Sequence, residues 1–133
     1  MRQLIIATLL GFPGLNASAA WELLIEMPEG KIYVDRTTIK RVGGMIAMSS
    51  LTDLTFSEKQ LTETPPSFRS TKQRDNYDCV GKTMRVQGYV LYSGPMATGT
   101  TLMRSDEGTP WAALDPKSQN VLKWRIACSV ESR

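Results

Sequence analysis

Two cysteines, Cys79 and Cys128, stand in a chain that has no histidine. Their chemistry constrains the fold more than any other feature. Three readings compete: a metal site, a reactive thiol and a covalent staple. Structural zinc takes four ligands, usually Cys and His, and two isolated thiols without an imidazole do not supply them. A reactive cysteine needs a depressed pKa, commonly from a neighbouring His or cation. Here the neighbour of Cys79 is Asp78, whose charge acts in the opposite direction. A staple needs an oxidising compartment.

The first twenty residues predict that compartment. MRQLIIATLLGFPGLNASAA has a basic start at Arg2 and an apolar run from Leu4 to Phe12. A turn-prone PGLN follows, then the small residues Ala17, Ser18, Ala19 and Ala20. These are the three regions of a secretory signal peptide. Residues 1–20 are therefore expected to be cleaved, before Ala20 or before Trp21, leaving one domain over 21–133. The apolar run is about nine residues, against roughly twenty for a membrane span. No cysteine follows the small residues, so the expected product is exported, periplasmic or secreted, without a lipid anchor. An even cysteine count in a small exported domain reads as a disulfide. A Cys79–Cys128 bridge closes a loop of about fifty residues, worth roughly 4 kcal/mol in the chain-entropy account.

The rest of the chain reads mostly as strands. WELLIEM (21–27), the turn PEGK (28–31) and KIYVDR (31–36) form a hairpin, and TTIKRVGG (37–44) reads as a reversal. MIAMSSLTDL (45–54) is a strand whose inner face the pattern leaves open. Pro65-Pro66 stops any ladder, so 55–66 reads as a mobile excursion and 67–79 as a strand. TMRVQGYVLYS (83–93) carries the strongest strand signal. Met84, Val86, Val90 and Tyr92 share one expected face, and Gly88 marks a bulge or a close backbone approach. SGPMATG (93–99) is a loop, TTLMRS (100–105) a strand and DEGTP (106–110) a turn. The period then changes. Asp115 is a plausible N-cap with Pro116 at the first helical position, and Val121, Trp124 and Cys128 form an apolar stripe widened by Leu122 and Ile126. Lys123 and Arg125 are expected to point elsewhere or to lie at its edge. The expected fold is α+β: an antiparallel sheet of about five or six strands with one C-terminal helix on a face, joined by a single disulfide.

Little catalytic chemistry fits this inventory. Without histidine, Ser-His-Asp and Cys-His catalysis are excluded. The carboxylate pairs Asp75/Asp78, Glu26/Glu29 and Asp106/Glu107 sit in or beside expected turns, where acidic residues are ordinary. GPMATGTT (94–101) has the glycine spacing of a phosphate loop but Thr100 where the lysine belongs. No enzyme, cofactor or metal is expected. The net charge is +3, without a long basic run, and does not argue for nucleic acid. SFRSTKQRD (67–75) reads first as a solvated strand edge. Its second reading is a contact surface, with Arg69, Lys72, Arg74, Tyr77 and Trp111 as the candidate partner residues.

The order of segments carries a resemblance. IYVDRTTIKR (32–41), SLTDL (50–54), SFRSTKQRDNYDC (67–79), YSGPMATG (92–99), PW (110–111) and DPKSQNVLKWRIAC (115–128) together resemble the surface-adhesin protein E family of Gram-negative bacteria. Ser70, Lys72, Tyr77, Asp78 and Cys79 fit the centre of its pattern, and Ser118, Leu122 and Cys128 its end. The resemblance implies an antiparallel sheet with a C-terminal helix, a Cys79–Cys128 bridge and a binding role at the envelope, towards host extracellular or envelope macromolecules. It carries over no set of binding residues.

Two functional readings stand on this. One is a non-enzymatic exported binding protein; the other is a periplasmic inhibitor of a hydrolase. A flat basic and aromatic face favours the first. A protruding 55–66 loop with one inserted side chain favours the second, and a deep cleft with convergent carboxylates would revive an enzyme.

Overall fold

A computed structural model describes residues 19–129; the expected leader falls almost entirely on 1–18, outside the described residues. Its seven strands form a single antiparallel sheet. β1 (Glu22–Met27), β2 (Gly30–Val42), β3 (Met45–Leu54), β4 (Ser70–Asp78), β5 (Thr83–Tyr92) and β6 (Thr101–Ser105) lie side by side in chain order. The short β7 (Ala112–Ala113) pairs with the start of β5. Helix α1 (Glu58–Glu63) links β3 to β4, and α2 (Asn120–Cys128) closes the fold. Most neighbours are joined by tight reversals, which antiparallel pairing allows. Gly43, at φ +64°, turns β2 into β3. Asp78 Oδ1 accepts from the N–H groups of Val80 and Gly81 to turn β4 into β5.

Four expectations change at this level. The stretch 37–44 is not a reversal, because β2 runs on to Val42. The ladder is interrupted between Asp35 and Lys40. There Asp35 Oδ1 accepts the Thr37 N–H at 2.9 Å, and Thr38 Oγ1 accepts the Ser49 N–H at 2.9 Å. Side chains thus replace missing ladder bonds, which conceals the alternation.

The excursion 55–66 contains α1. Ser57 and Gln60 form a reciprocal capping box: the Ser57 N–H donates to Gln60 Oε1, and the Gln60 N–H donates to Ser57 Oγ. Two orphan donors of a short helix are satisfied this way.

The third change concerns β5. Arg74 pairs with Gly88 and Asp75 with Val86, so Gln87 is the extra residue of a bulge. The close approach expected at Gly88 is present, since a Cβ there would lie 2.8 Å from the Ser105 carbonyl oxygen. The bulge shifts the alternation by one. Met84 and Val86 lie opposite Tyr77 and Asp75, whereas Val90 and Tyr92 lie opposite Lys72 and Ser70. The single expected face is therefore two.

The fourth is the helix. Asp115 caps a turn rather than α2: its Oδ1 accepts the Lys117 N–H and its carbonyl accepts the Ser118 N–H. Asn120 begins the helix. Its buried residues are Lys123 and Ala127, so Lys123 is not at the edge of the stripe. Ala127 meets Val34, Ile46, Met48, Tyr77 and Met84 in the core, with Trp124, Ile126 and Cys128 packed around it. The Cys79–Cys128 bridge is formed, with Cα atoms 5.6 Å apart.

Candidate functional site

β4 holds the densest run of polar side chains in the chain, and it is no solvated edge. It lies between β3 and β5. Alternation sends its residues to two unlike environments. Gln73, Asp75 and Tyr77 are on the helix side; Lys72, Arg74 and Asn76 are on the other.

On the helix side Gln73, Asp75 and Tyr77 are tied together. Asp75 is fully buried. Its Oδ2 accepts from Lys123 Nζ at 3.2 Å, Ser50 Oγ at 2.9 Å and the Tyr77 hydroxyl at 3.1 Å. Its Oδ1 accepts from the Gln73 amide at 2.7 Å. Lys123 Nζ also donates to Ser50 Oγ at 3.3 Å. Burial, and then the Asp75 charge and hydrogen bond, push the Tyr77 phenol far above its ordinary range, so it stays neutral. Two further ties follow along the strand end: Trp124 Nε1 donates to the Asp78 carbonyl at 3.1 Å, and Cys79 bonds Cys128. These side chains are spent on docking α2.

The other side faces outward. Between β3, β4, β5 and β6 lies an open groove of about 350 Å³, lined by Ser49, Lys72, Arg74, Gln87, Arg104 and Asp106 among others. Arg74 Nη1 donates to Ser49 Oγ at 3.1 Å. Burial lowers the Arg74 pKa from its ordinary value and the Asp75 charge opposes that; arginine remains cationic throughout the usual pH range. Among the described residues, Lys72, Arg74 and Arg104 form no salt bridge. A polar chain continues from the groove along the sheet. Asn76 Nδ2 donates to Gln87 Oε1 at 3.2 Å, and Arg85 Nε donates to Asn76 Oδ1 at 2.9 Å. The Arg85 guanidinium lies 5.5 Å from the centre of the Trp111 ring, a cation–π contact. Trp111 is 41% exposed.

At the opposite end the turn after β5 folds over the sheet. The N–H of Met96 donates to Asp53 Oδ1 at 2.8 Å and that of Ala97 to Ser70 Oγ at 2.9 Å. Both residues have positive φ, 53° and 59°, a strained backbone held by these bonds.

Of the residues singled out from the sequence, Lys72 and Arg74 line the groove and Trp111 stands at the far end of the same strip. Tyr77 is buried at 0% exposure, so it contributes to the core and not to a contact surface. Arg69 precedes β4 and does not line the groove; its Nε is buried without a hydrogen-bond partner. Arg104, Arg85, Gln87 and Ser49 escaped notice because they come from other strands, and Asp106, just past β6, drew notice only as half of a carboxylate pair at a turn. Register alone brings Arg104 opposite Val90, and Val90 opposite Lys72. Asp106 is the groove's one carboxylate among its lining residues. Asp75 and Asp78 do not converge, since one lies under α2 and the other starts a turn. Among the described residues no three His, Cys, Asp or Glu side chains gather as metal ligands, and no helix is long and apolar enough to cross a membrane.

The family model of surface-adhesin protein E matches residues 21–129. No curated protein matches the chain. Among solved structures, a crystal form of Haemophilus influenzae protein E superposes with a TM-score of 0.64 at 14% identity, over 96% of this chain and 100% of that one. A second structure of the same protein gives 0.62 at 14% identity, over 90% and 91%. Protein E from non-typeable Haemophilus influenzae gives 0.55 at 15% identity, over 91% and 84%. At such identity these structures speak to the fold.

Proposed function

The chain belongs to the surface-adhesin protein E family, and from that premise we propose that it is an exported, non-catalytic binding protein of the bacterial envelope. In this reading the first 19 or 20 residues are a cleaved leader and the remainder is the binding domain, directed at host extracellular or envelope macromolecules. The observation that carries the reading is the open face of the sheet. It presents Lys72, Arg74 and Arg104 without carboxylate partners and an exposed Trp111 on one continuous strip. Arginine and aromatic side chains are the favoured anchors of binding surfaces. The groove is open, and the one carboxylate among its lining residues, Asp106, does not form the pair that acid–base hydrolysis needs. The stretch 55–66 is a capped helical segment rather than an extended inserting loop, so nothing specific favours the inhibitor reading.

An attachment assay tests this proposal. Beads coated with residues 21–133 should adhere to host-cell matrix or to envelope preparations. A double replacement on the open face, Arg74→Glu with Arg104→Glu, should abolish attachment. A replacement on the exposed side of α2, Arg125→Glu, should not. Beads that fail to attach to either material would refute the binding role, and attachment lost only through the α2 variant would refute the face.

A further inference from the structure

Resting on that reading, we propose that the open face is a recognition strip for an acidic polysaccharide, with the groove as its subsite for a sulfate or phosphate group. Lys72, Arg74 and Asn76 alternate along one face of β4 and span about 13 Å at strand spacing. That is longer than a lone anion requires. The cationic end matches a charged substituent, because guanidinium groups present paired donors to tetrahedral oxyanions. The middle of the strip is uncharged: the exposed Gln87 amide lies there, held by a hydrogen bond from the buried Asn76. Trp111, propped from beneath by Arg85, ends it with a flat apolar surface.

An acidic peptide would meet cations and the Asp106 carboxylate in the same groove. That carboxylate's charge works against either anion, but a sugar's hydroxyls offset this by donating to it, as acidic peptide side chains do not. The apolar part of the lining comes from Val90 and Tyr89, and an aromatic ring packs against the apolar face of a sugar. The mixture of cation, amide and acceptor therefore fits a charged glycan better than a charged protein segment.

Heparin is the test probe, with uncharged dextran and single-stranded DNA of matched charge beside it. The domain 21–133 should bind heparin, ignore dextran and bind the DNA more weakly. Lys72→Ala with Arg104→Ala should weaken heparin binding about tenfold or more, since each replacement removes a charge-assisted contact at the surface of the groove. Lys59→Ala with Lys117→Ala removes the same charge from exposed sites elsewhere and should cost about twofold or less, as expected for distant screened charges. Trp111→Ala should weaken binding without altering its salt dependence. No heparin binding, equal losses in the two double variants, or a preference for DNA would overturn the inference. The bead assay stays independent: attachment without heparin binding removes the glycan and leaves the binding role.

A different observation carries a second inference. The N–H of Ala20 donates to Asp35 Oδ2 at 3.0 Å, and Asp35 is 2% exposed. Its other oxygen is already bonded to Thr37. We infer that leader removal falls before Ala20, so that the new α-ammonium forms an ion pair with Asp35 and locks β1 against β2. Mass spectrometry of the exported protein should show a chain beginning at Ala20. That form should melt higher than one beginning at Trp21, and Asp35→Asn should erase the difference. An exported chain beginning at Trp21, or equal melting of the two forms, would overturn it.

Discussion

The two faces of β4 use similar residues for opposite ends. Towards α2, a carboxylate, an ammonium, a hydroxyl and a phenol are buried together and saturate one another. Towards solvent, two guanidinium groups and an ammonium line a groove without ion-pair partners. A buried charge left unpaired is strongly destabilising, while an exposed one costs little. The helix face can therefore change only at a cost to the fold. The open face is free to vary, which is the property a binding surface needs.

The largest expected break lies on the helix face. Asp75→Ala leaves Lys123 buried without its counter-ion and should cost about 3–5 kcal/mol in urea unfolding. Replacing the pair together, Asp75→Leu with Lys123→Met, should recover part of that loss. Opening the bridge with Cys79→Ser and Cys128→Ser should cost about 2–5 kcal/mol. Binding by the variant that still folds should persist, because no cysteine lies on the open face. Alkaline pH offers a gentler probe. The folded state holds the Tyr77 proton above the ordinary pKa of 10.0 and the unfolded chain does not. Stability from this group is complete below pH 10 and should fall by about 1.4 kcal/mol per unit above it. Tyr77→Phe should flatten that slope while losing the hydrogen bond to Asp75. The smallest effect belongs to the open face: Lys72→Ala with Arg104→Ala should shift stability by about 0.5 kcal/mol or less while weakening ligand binding.

Much of this contrast was legible beforehand, and the gaps have physical causes. Two cysteines behind an expected export leader predict the staple, and alternation predicts the main strands. The pairing of β4 with both β3 and β5 was hidden because its charges imitate an exposed edge; Asp75 is neutralised by Lys123, 48 residues away. Lys123 itself lies on the inner face of a helix whose apolar stripe runs beside it, so periodicity placed the stripe and misplaced the lysine. The capping box Ser57–Gln60 was present in the residues, but the following Pro65-Pro66 argued against regular structure. The bulge at Gln87 was marked by Gly88, yet its effect on side-chain direction follows only from the register with β4. The groove is the least legible part, since it draws Ser49, Lys72, Arg74, Gln87 and Arg104 from four strands. Strand alternation could propose Lys72 and Arg74 as neighbours, and only the sheet order adds Arg104.

The division between a docking face and a binding face is most directly tested by NMR, with an amide-labelled domain titrated with a sulfated heparin oligosaccharide. Two of the three tryptophans serve as built-in reporters, since Trp124 donates to Asp78 under the helix and Trp111 stands exposed beside Arg85. Shifts at Lys72, Arg74, Gly88, Arg104 and the Trp111 indole, with the Trp124 indole unmoved, are the predicted result. Perturbation centred on Trp124 and α2, with the β4–β6 groove silent, would contradict it.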